Sequence, residues 1–216
     1  MQVDEVRPYY ELLEKRKTSL LIKRVFDVVT ASVMLLFLAI PMAGIAVWIK
    51  LDSPGPVFYR QKRVTTCGKI FKIHKFRTMV NHADQIGSTV TVAGDARITN
   101  VGKKLRHLRL DELPQLIDVL QGTMSFVGTR PEAVKYVRQY KQEYRATLLL
   151  PAGITSEASI RYKDEDRLLD AAEDVDRVYV EEVLPGKMEW NLKGIHKVSL
   201  WYDLRVMIMT AIKVLH

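Results

Sequence analysis

Cysteine is almost missing from this chain: Cys67 is the only one in 216 residues. An internal disulfide is therefore excluded, and the chain suits a reducing compartment. No spaced His/Cys cluster occurs either, so His74 and His107 are poor candidates for a metal site. No repeat, low-complexity tract or linker divides the chain, which argues for one domain able to bury a real core. The first 20 residues are polar and charged. They lack the apolar run and small-residue cleavage site of a signal peptide, so none is expected. Acids are absent over 53–83, where seven Lys or Arg occur.

What is present is positive charge, a net +8 at neutral pH. An anionic partner follows: nucleic acid, an anionic membrane surface or a phosphate-rich small molecule. No nucleic-acid recognition motif is found, which speaks against the first. Acids are concentrated over 164–182, nine of them against Arg167 and Arg177, and read as a solvated surface.

One segment is strongly apolar. Residues 28–49, "VVTASVMLLFLAIPMAGIAVWI", form 22 positions without a charge, enough to cross a hydrocarbon core of about 30 Å. Both flanks are basic, with Lys15, Arg16, Lys17, Lys23 and Arg24 before and Lys50, Arg60, Lys62 and Arg63 after. Positive charge favours the cytoplasmic side, so both ends belong there. Pro41 removes a backbone donor and clashes with the preceding turn. A re-entrant helix over 21–50, kinked or broken near Pro41, satisfies both observations. A plain span and a buried helix of a soluble protein stay open.

The remaining pattern reads as α+β. Residues 1–20 suggest a surface helix. "SPGP" at 53–56 is a turn, followed by a hairpin, "VFYRQKRV" and "CGKIFKIHKFRTM", turning near Thr66–Gly68. A polar loop over 81–94 precedes a helix over 101–108, and Asp111 or Glu112 starts the next with Pro114 in its first turn. Further helices are expected over 132–147 and 177–183, with a strand near 153–162. The apolar helix at 198–215 packs on the core or lies in the membrane interface. Trp190 and Trp201 could face lipid or a second copy, leaving a homodimer open.

Adjacent acids stand in "LRLDELPQL", residues 108–116. Acids favour a helix start because they complement its dipole. The same place binds anions. Amid Arg106, Arg109 and Arg130, an ionised Asp111 would lie close to bound phosphate and could act as a nucleophile. Asp111 and Glu112 together could hold Mg²⁺.

"KRVFDVVTAS", "SPGPVFYRQKRV", "GKIFKIHKFRTM", "GDARITNVGKKLRHLRLDELPQLIDVLQGTMSFVGTRPE", "YVEEVLPGKMEWNL" and "SLWYDLRVMIMTAIKVL" occur in this order. Together, over about residues 20–216, they resemble the bacterial sugar transferases. These are monotopic polyprenyl-phosphate phosphoglycosyl transferases, here in the small form without extra N-terminal membrane helices. The resemblance implies one domain, 1–216, with a re-entrant helix and a catalytic part, 51–216, on the cytoplasmic face of the bacterial inner membrane. It implies transfer of a sugar-1-phosphate from a nucleotide diphosphate sugar, UDP-linked by expectation, to polyprenyl (undecaprenyl) phosphate. A nucleoside monophosphate is released, and a surface glycan such as exopolysaccharide or lipopolysaccharide is begun. Asp111 would be the nucleophile and form a covalent phosphosugar, with Glu112 supporting Mg²⁺ or proton movement. Arg106 is the candidate for the lipid phosphate. Arg130, Pro131 and Glu132 are assigned to substrate, with Pro131 stiffening the loop. Lys75, Arg77 and Arg63 complete the candidate set, although sheet-surface cations and a structural Arg63 are equally consistent with the residues. Asp27 is expected to pair with Arg24 or a neighbour. Thr65, Thr123, Thr129 and Ala152 depart from the family pattern, and none removes the acid pair. A non-catalytic membrane scaffold of the same fold is the rival reading.

Overall fold

The computed structural model of the protein describes residues 4–83, 95–163 and 174–215. Most of the expected polar loop and the first part of the acidic stretch, residues 84–94 and 164–173, lie outside the described residues.

Helix α1 (Arg7–Glu14) is short and α2 (Lys17–Asp52) runs for 36 residues. The expected surface helix over 1–20 therefore ends earlier, and residues 17–20 belong to α2. Pro41 lies inside α2, and where a break was expected the helix continues to Asp52. At a rise of 1.5 Å per residue α2 is about 54 Å long. Only 6% of its most apolar 18-residue window is buried. Leu36, Phe37 and Ile40 are 77%, 73% and 85% exposed. A helix buried in a soluble core would hide these side chains, so that alternative is set aside.

The N-terminal half of α2 is tied to the rest of the chain by "KRVFD". Helix α4 (Gln115–Gln121) ends at Gly122, whose N donates to the Val119 carbonyl at 3.1 Å, and its last carbonyls keep further capacity to accept. Arg24 donates to those of Val119 and Leu120 at 2.6 and 2.8 Å. Strand β3 (Met124–Val127) follows at once. Lys23 donates to its Val127 carbonyl at 2.9 Å and pairs with buried Asp203. Asp27 accepts from Phe126 N at 3.4 Å, not from Arg24. Ala31, fully buried, packs with Leu116, Val119, Met124 and Phe126 beneath these bonds.

The hairpin forms as expected, β1 (Phe58–Val64) antiparallel to β2 (Ile70–Phe76). Its turn contains Cys67 and Gly68 at φ 55° and 75°. Phe71 and Ile73 enter the core. By register Tyr59 pairs with Lys75, Gln61 with Ile73 and Arg63 with Phe71, so these side chains share one face. Asp118 of α4 accepts from His74 N at 2.9 Å and meets its Nδ1 at 2.8 Å. That pair docks α4 on β2.

Strand β3 pairs in parallel with β4 (Ala152–Thr155). A Cβ on Gly153 would sit 2.1 Å from Gly128 N, so the two backbones meet only because both residues are glycine. Between these strands the expected helix over 132–147 is reduced to α5 (Val134–Val137) and a 3-10 turn, Glu143–Leu149. Two valines stiffen that segment, and Thr147 bonds back to the Tyr144 carbonyl at 2.7 Å in competition with a regular ladder. The expected strand at 153–162 stops at Thr155, because Ser156 caps α6 (Glu157–Arg161) by accepting from Ser159 N. Beyond the acidic stretch come α7 (Val175–Val178), a wide turn to Val183, α8 (Leu184–His196) and α9 (Leu200–Leu215). α8 had not been read from the sequence. The departures from the family pattern gather behind the site. Thr65 Oγ1 donates to the Thr123 carbonyl at 2.6 Å and accepts from Ala152 N at 3.2 Å, while the Thr129 carbonyl accepts from Gly153 N at 2.8 Å.

Candidate active site

The acid pair does not open a helix. It occupies a single 3-10 turn, Leu110–Glu112, between α3 (Asn100–His107) and α4, and α4 begins only after Pro114. The approach is tightly set. Thr99 caps α3 by accepting from Gly102 N, and a Cβ on Gly102 would lie 2.0 Å from the Thr78 carbonyl. α3 thus presses on the segment after β2. This contact places Arg106, whose Nε donates to Thr78 Oγ1 at 2.9 Å. Arg109 then carries the chain into the turn with left-handed angles, φ 56° and ψ 21°.

Glu112 is anchored by two cations on one oxygen. Its Oε1 accepts from Lys75 Nζ at 2.8 Å and from Arg130 Nη2 at 2.6 Å. Burial pushes this carboxyl upward, but Arg130 and Lys75 outweigh burial and hold it well below the usual carboxylate range. Burial lowers the Lys75 amine, with Glu112 acting in the opposite direction. Asp111 is 8% exposed, and no hydrogen bond or ion pair engages its carboxylate among the described residues. Burial raises its pKa, Lys75 opposes that rise and the Glu112 charge adds to it. Adjacent carboxylates therefore have separate conditions: one neutralised and fixed, the other close to cations that are already spoken for.

Both acids line a cavity of about 1270 Å³. Tyr59, Gln61, Arg63 and Lys75 of the hairpin form one wall, with Arg106, Arg109 and Arg130 beside the acids. Apolar side chains from other elements, Met34 of α2, Phe126, Ile154 and Met207 of α9, reach the same cavity. Basic and apolar side chains thus line one cavity.

The remaining candidates divide. Arg130 is brought to the acids, and Lys75 joins it. Arg106 lies at the cavity, held against Thr78. Arg63 rests on Gln61 Oε1 at 2.6 Å and on the Pro131 carbonyl at 3.3 Å, so it supports the Arg130 loop. Glu132 also supports that loop: its Oε1 accepts from Tyr179 OH at 2.6 Å, with Lys187 Nζ 3.7 Å away, and its carbonyl accepts from Val64 N at 3.1 Å. Arg77 lines the same cavity, but its guanidinium is engaged at the end of α2. Its guanidinium donates to the Pro54 and Ser53 carbonyls at 2.6 and 2.7 Å. It clamps the turn at the end of α2, where Gly55 takes φ 128° to admit it. The sequence reading missed Tyr179, buried Lys187, Thr78 and the Asp95–Arg97 pair at 2.6 Å. Of these only Lys187, a lysine within the apolar pattern of "VLPGKMEW", carried a visible signal.

The sequence model described as "Bacterial sugar transferase" matches residues 18–216. Over 198 residues the chain is 38% identical to the UDP-glucose:undecaprenyl-phosphate glucose-1-phosphate transferase of Escherichia coli K12, covering 89% of this chain and 40% of that one. It is 36% identical over 192 residues to the UDP-N-acetylgalactosamine-undecaprenyl-phosphate N-acetylgalactosaminephosphotransferase of Aeromonas hydrophila, covering 88% and 42%. An exopolysaccharide production protein of Rhizobium leguminosarum is 40% identical over 149 residues, covering 66% of this chain and 74% of that one. The chain therefore spans 40% and 42% of the length of the first two relatives.

The geometry around Glu112 makes a stability prediction. Lys75→Met removes one of the two charge-assisted bonds to a largely buried carboxylate and should cost about 2 kcal/mol. Urea unfolding in detergent checks it, and an unchanged midpoint would mean that the pair contributes nothing.

Proposed function

The chain belongs to the bacterial sugar transferase family, and from that premise we propose that it moves a sugar-1-phosphate from a UDP-sugar to undecaprenyl phosphate, with UMP as the second product. The observation that carries this reading is the contrast between the acids: Glu112 is clamped by Lys75 and Arg130, and Asp111 faces the cavity without a partner among the described residues.

In the first step an Asp111 carboxylate oxygen attacks the sugar-side phosphorus. The phosphoanhydride bond breaks, and its electron pair leaves with UMP. In the second step a terminal oxygen of undecaprenyl phosphate attacks the same phosphorus. The aspartyl–phosphorus bond breaks, the carboxylate is restored and the lipid-linked diphosphate sugar departs. Neither step needs a proton transfer when both attacking groups are ionised. Arg106 is assigned to the lipid phosphate and Arg130 to the diphosphate. Glu112 holds the two cations in place and keeps them from closing on the nucleophile.

Magnesium fits this arrangement in the way the ion is commonly held, by one or two carboxylates, water and substrate phosphate oxygens. The donors would be the Asp111 carboxylate and Glu112 Oε2, the oxygen that Lys75 and Arg130 do not engage. Among the described residues no group of three His, Cys, Asp or Glu forms an all-protein cage. When bound, the ion would neutralise charge on the diphosphate.

α2 is proposed to enter the membrane from the cytoplasmic face and return to it. Its exposed apolar face and two basic flanks support this reading, and Pro41 supplies a place for a bend. α9 would lie in the interface, with Trp201, Ile208 and Ile212 outward at 82%, 60% and 55% exposure. Trp190 is committed elsewhere, beneath Arg161 at 3.7 Å. We assign the α9 stripe to lipid rather than to a homodimer because α9 is tied to α2 through Lys23 and Asp203. The reaction would begin a surface glycan such as exopolysaccharide or lipopolysaccharide.

The first test of the chemistry is UMP release in nanodiscs containing undecaprenyl phosphate, Mg²⁺ and a panel of UDP-sugars. Asp111→Asn should lower it by at least about 10³-fold. Persistent release in the variant would remove Asp111 as nucleophile, and no release by the native chain with any donor would favour the scaffold reading. In the native protein kcat/KM should fall on the acid side as Asp111 takes up a proton.

Membrane topology is tested separately with Cys67, which is exposed. A cysteine introduced at Lys15 and the native Cys67 should react with an impermeant maleimide from the same side of sealed vesicles. Labelling from opposite sides would make α2 a full span.

A further inference from the structure

We infer that Arg109 is a phosphate-binding residue of this site, kept as arginine at a backbone position that glycine would occupy with less strain; the inference rests on the phosphoryl-transfer reading above. α3 ends at Leu108, and Arg109 follows in the left-handed region. That position after a helix is commonly glycine, since a Cβ there crowds the following carbonyl. The residue has two backbone duties. Its N donates to the Arg106 carbonyl at 3.1 Å, and its own carbonyl accepts from Glu112 N at 3.4 Å. It therefore closes α3 and opens the turn that carries Asp111.

Both duties belong to the backbone, and glycine would fulfil them. What glycine lacks is the guanidinium. Residues in strained backbone positions cluster at active sites. The Arg109 side chain lines the cavity and is exposed. The other cavity arginines have partners: Arg77 holds Ser53 and Pro54, Arg97 holds Asp95, Arg106 holds Thr78 and Arg130 holds Glu112. Arg63 rests on Gln61. Among the described residues Arg109 makes no side-chain hydrogen bond, ion pair or ring contact. Its planar fork matches phosphate oxygens in a bidentate manner, and it stands two residues from the nucleophile. The ligand is a phosphate, either that of the lipid acceptor or the diphosphate of the donor.

The test uses Arg109→Gly and Arg109→Lys in the full chain in nanodiscs. The half-reactions are measured apart, the UMP burst without lipid and then discharge onto undecaprenyl phosphate. Arg109→Gly should fold with a Tm at or above the native value, because relief of left-handed strain offsets the freedom it adds to the unfolded chain. One half-reaction should slow by roughly 10–100-fold, the equivalent of a lost charge-assisted bond, and Arg109→Lys should recover part of it. Slowing confined to the burst assigns the donor diphosphate, and slowing confined to discharge assigns the lipid phosphate. Native rates in both half-reactions would overturn the inference. Absence of turnover in the native chain would instead remove the transferase reading. Titration with UDP and with undecaprenyl phosphate then decides on Arg109 alone: about tenfold weaker binding of either in Arg109→Gly supports it, and unchanged binding of both overturns it.

Discussion

The site depends on Lys75 and Arg130 meeting at one oxygen of Glu112. These bonds, 2.8 and 2.6 Å long, join strand β2, the 3-10 turn and the loop after β3. Each is a charge-assisted bond with little access to water, the kind that contributes about 1.5–3 kcal/mol. A second ring of contacts leads back from the Arg130 loop to β1, through Arg63 on the Pro131 carbonyl and Val64 on the Glu132 carbonyl. The consequence is electrostatic as much as mechanical. Without Glu112 the two cations would turn to Asp111 and quench it. With Glu112 they are held off Asp111, and in the proposed reaction they would stay close enough to help a bound phosphate.

Strand β3 links α2 to this site. Its Phe126 amide and Val127 carbonyl are held by Asp27 and Lys23 of α2, and Arg130 follows three residues later. Buried Lys23 would be costly alone. Its pairing with Asp203 compensates the charge and fixes α9 against α2 at the same place. Placement of α2, α9 and the Arg130 loop is thus one linked arrangement. In the proposed reaction a lipid phosphate would need such a fixed depth.

Legibility in the sequence followed the range of the interactions. The hairpin was visible because alternation and the Thr66–Gly68 turn are local, and the apolar segment because 22 uncharged residues leave few alternatives. The acid pair stood out in the sequence, but its local shape did not. Pro114 and acidic residues look like a helix start, whereas Arg109 in the left-handed region turns the pair into a separate 3-10 turn. A left-handed arginine has no sequence signature. Arg77 was assigned to phosphate because its type suits that role; its actual partners, the carbonyls of Ser53 and Pro54, lie more than twenty residues away in the chain. Lys187 and Tyr179 were missed for the same reason, since both reach Glu132 only through tertiary packing. The departures at Thr65, Thr123, Thr129 and Ala152 proved to be neighbours in space, a relation no spacing along the chain discloses.

The most direct test of the central claim is the intact mass of the native protein after brief exposure to a UDP-sugar and Mg²⁺ without lipid, followed by peptide mapping. The account predicts a mass increase equal to one phosphosugar, located on Asp111 and removed by adding undecaprenyl phosphate. Turnover with no such adduct, or an adduct located on Glu112 or another residue, would contradict it.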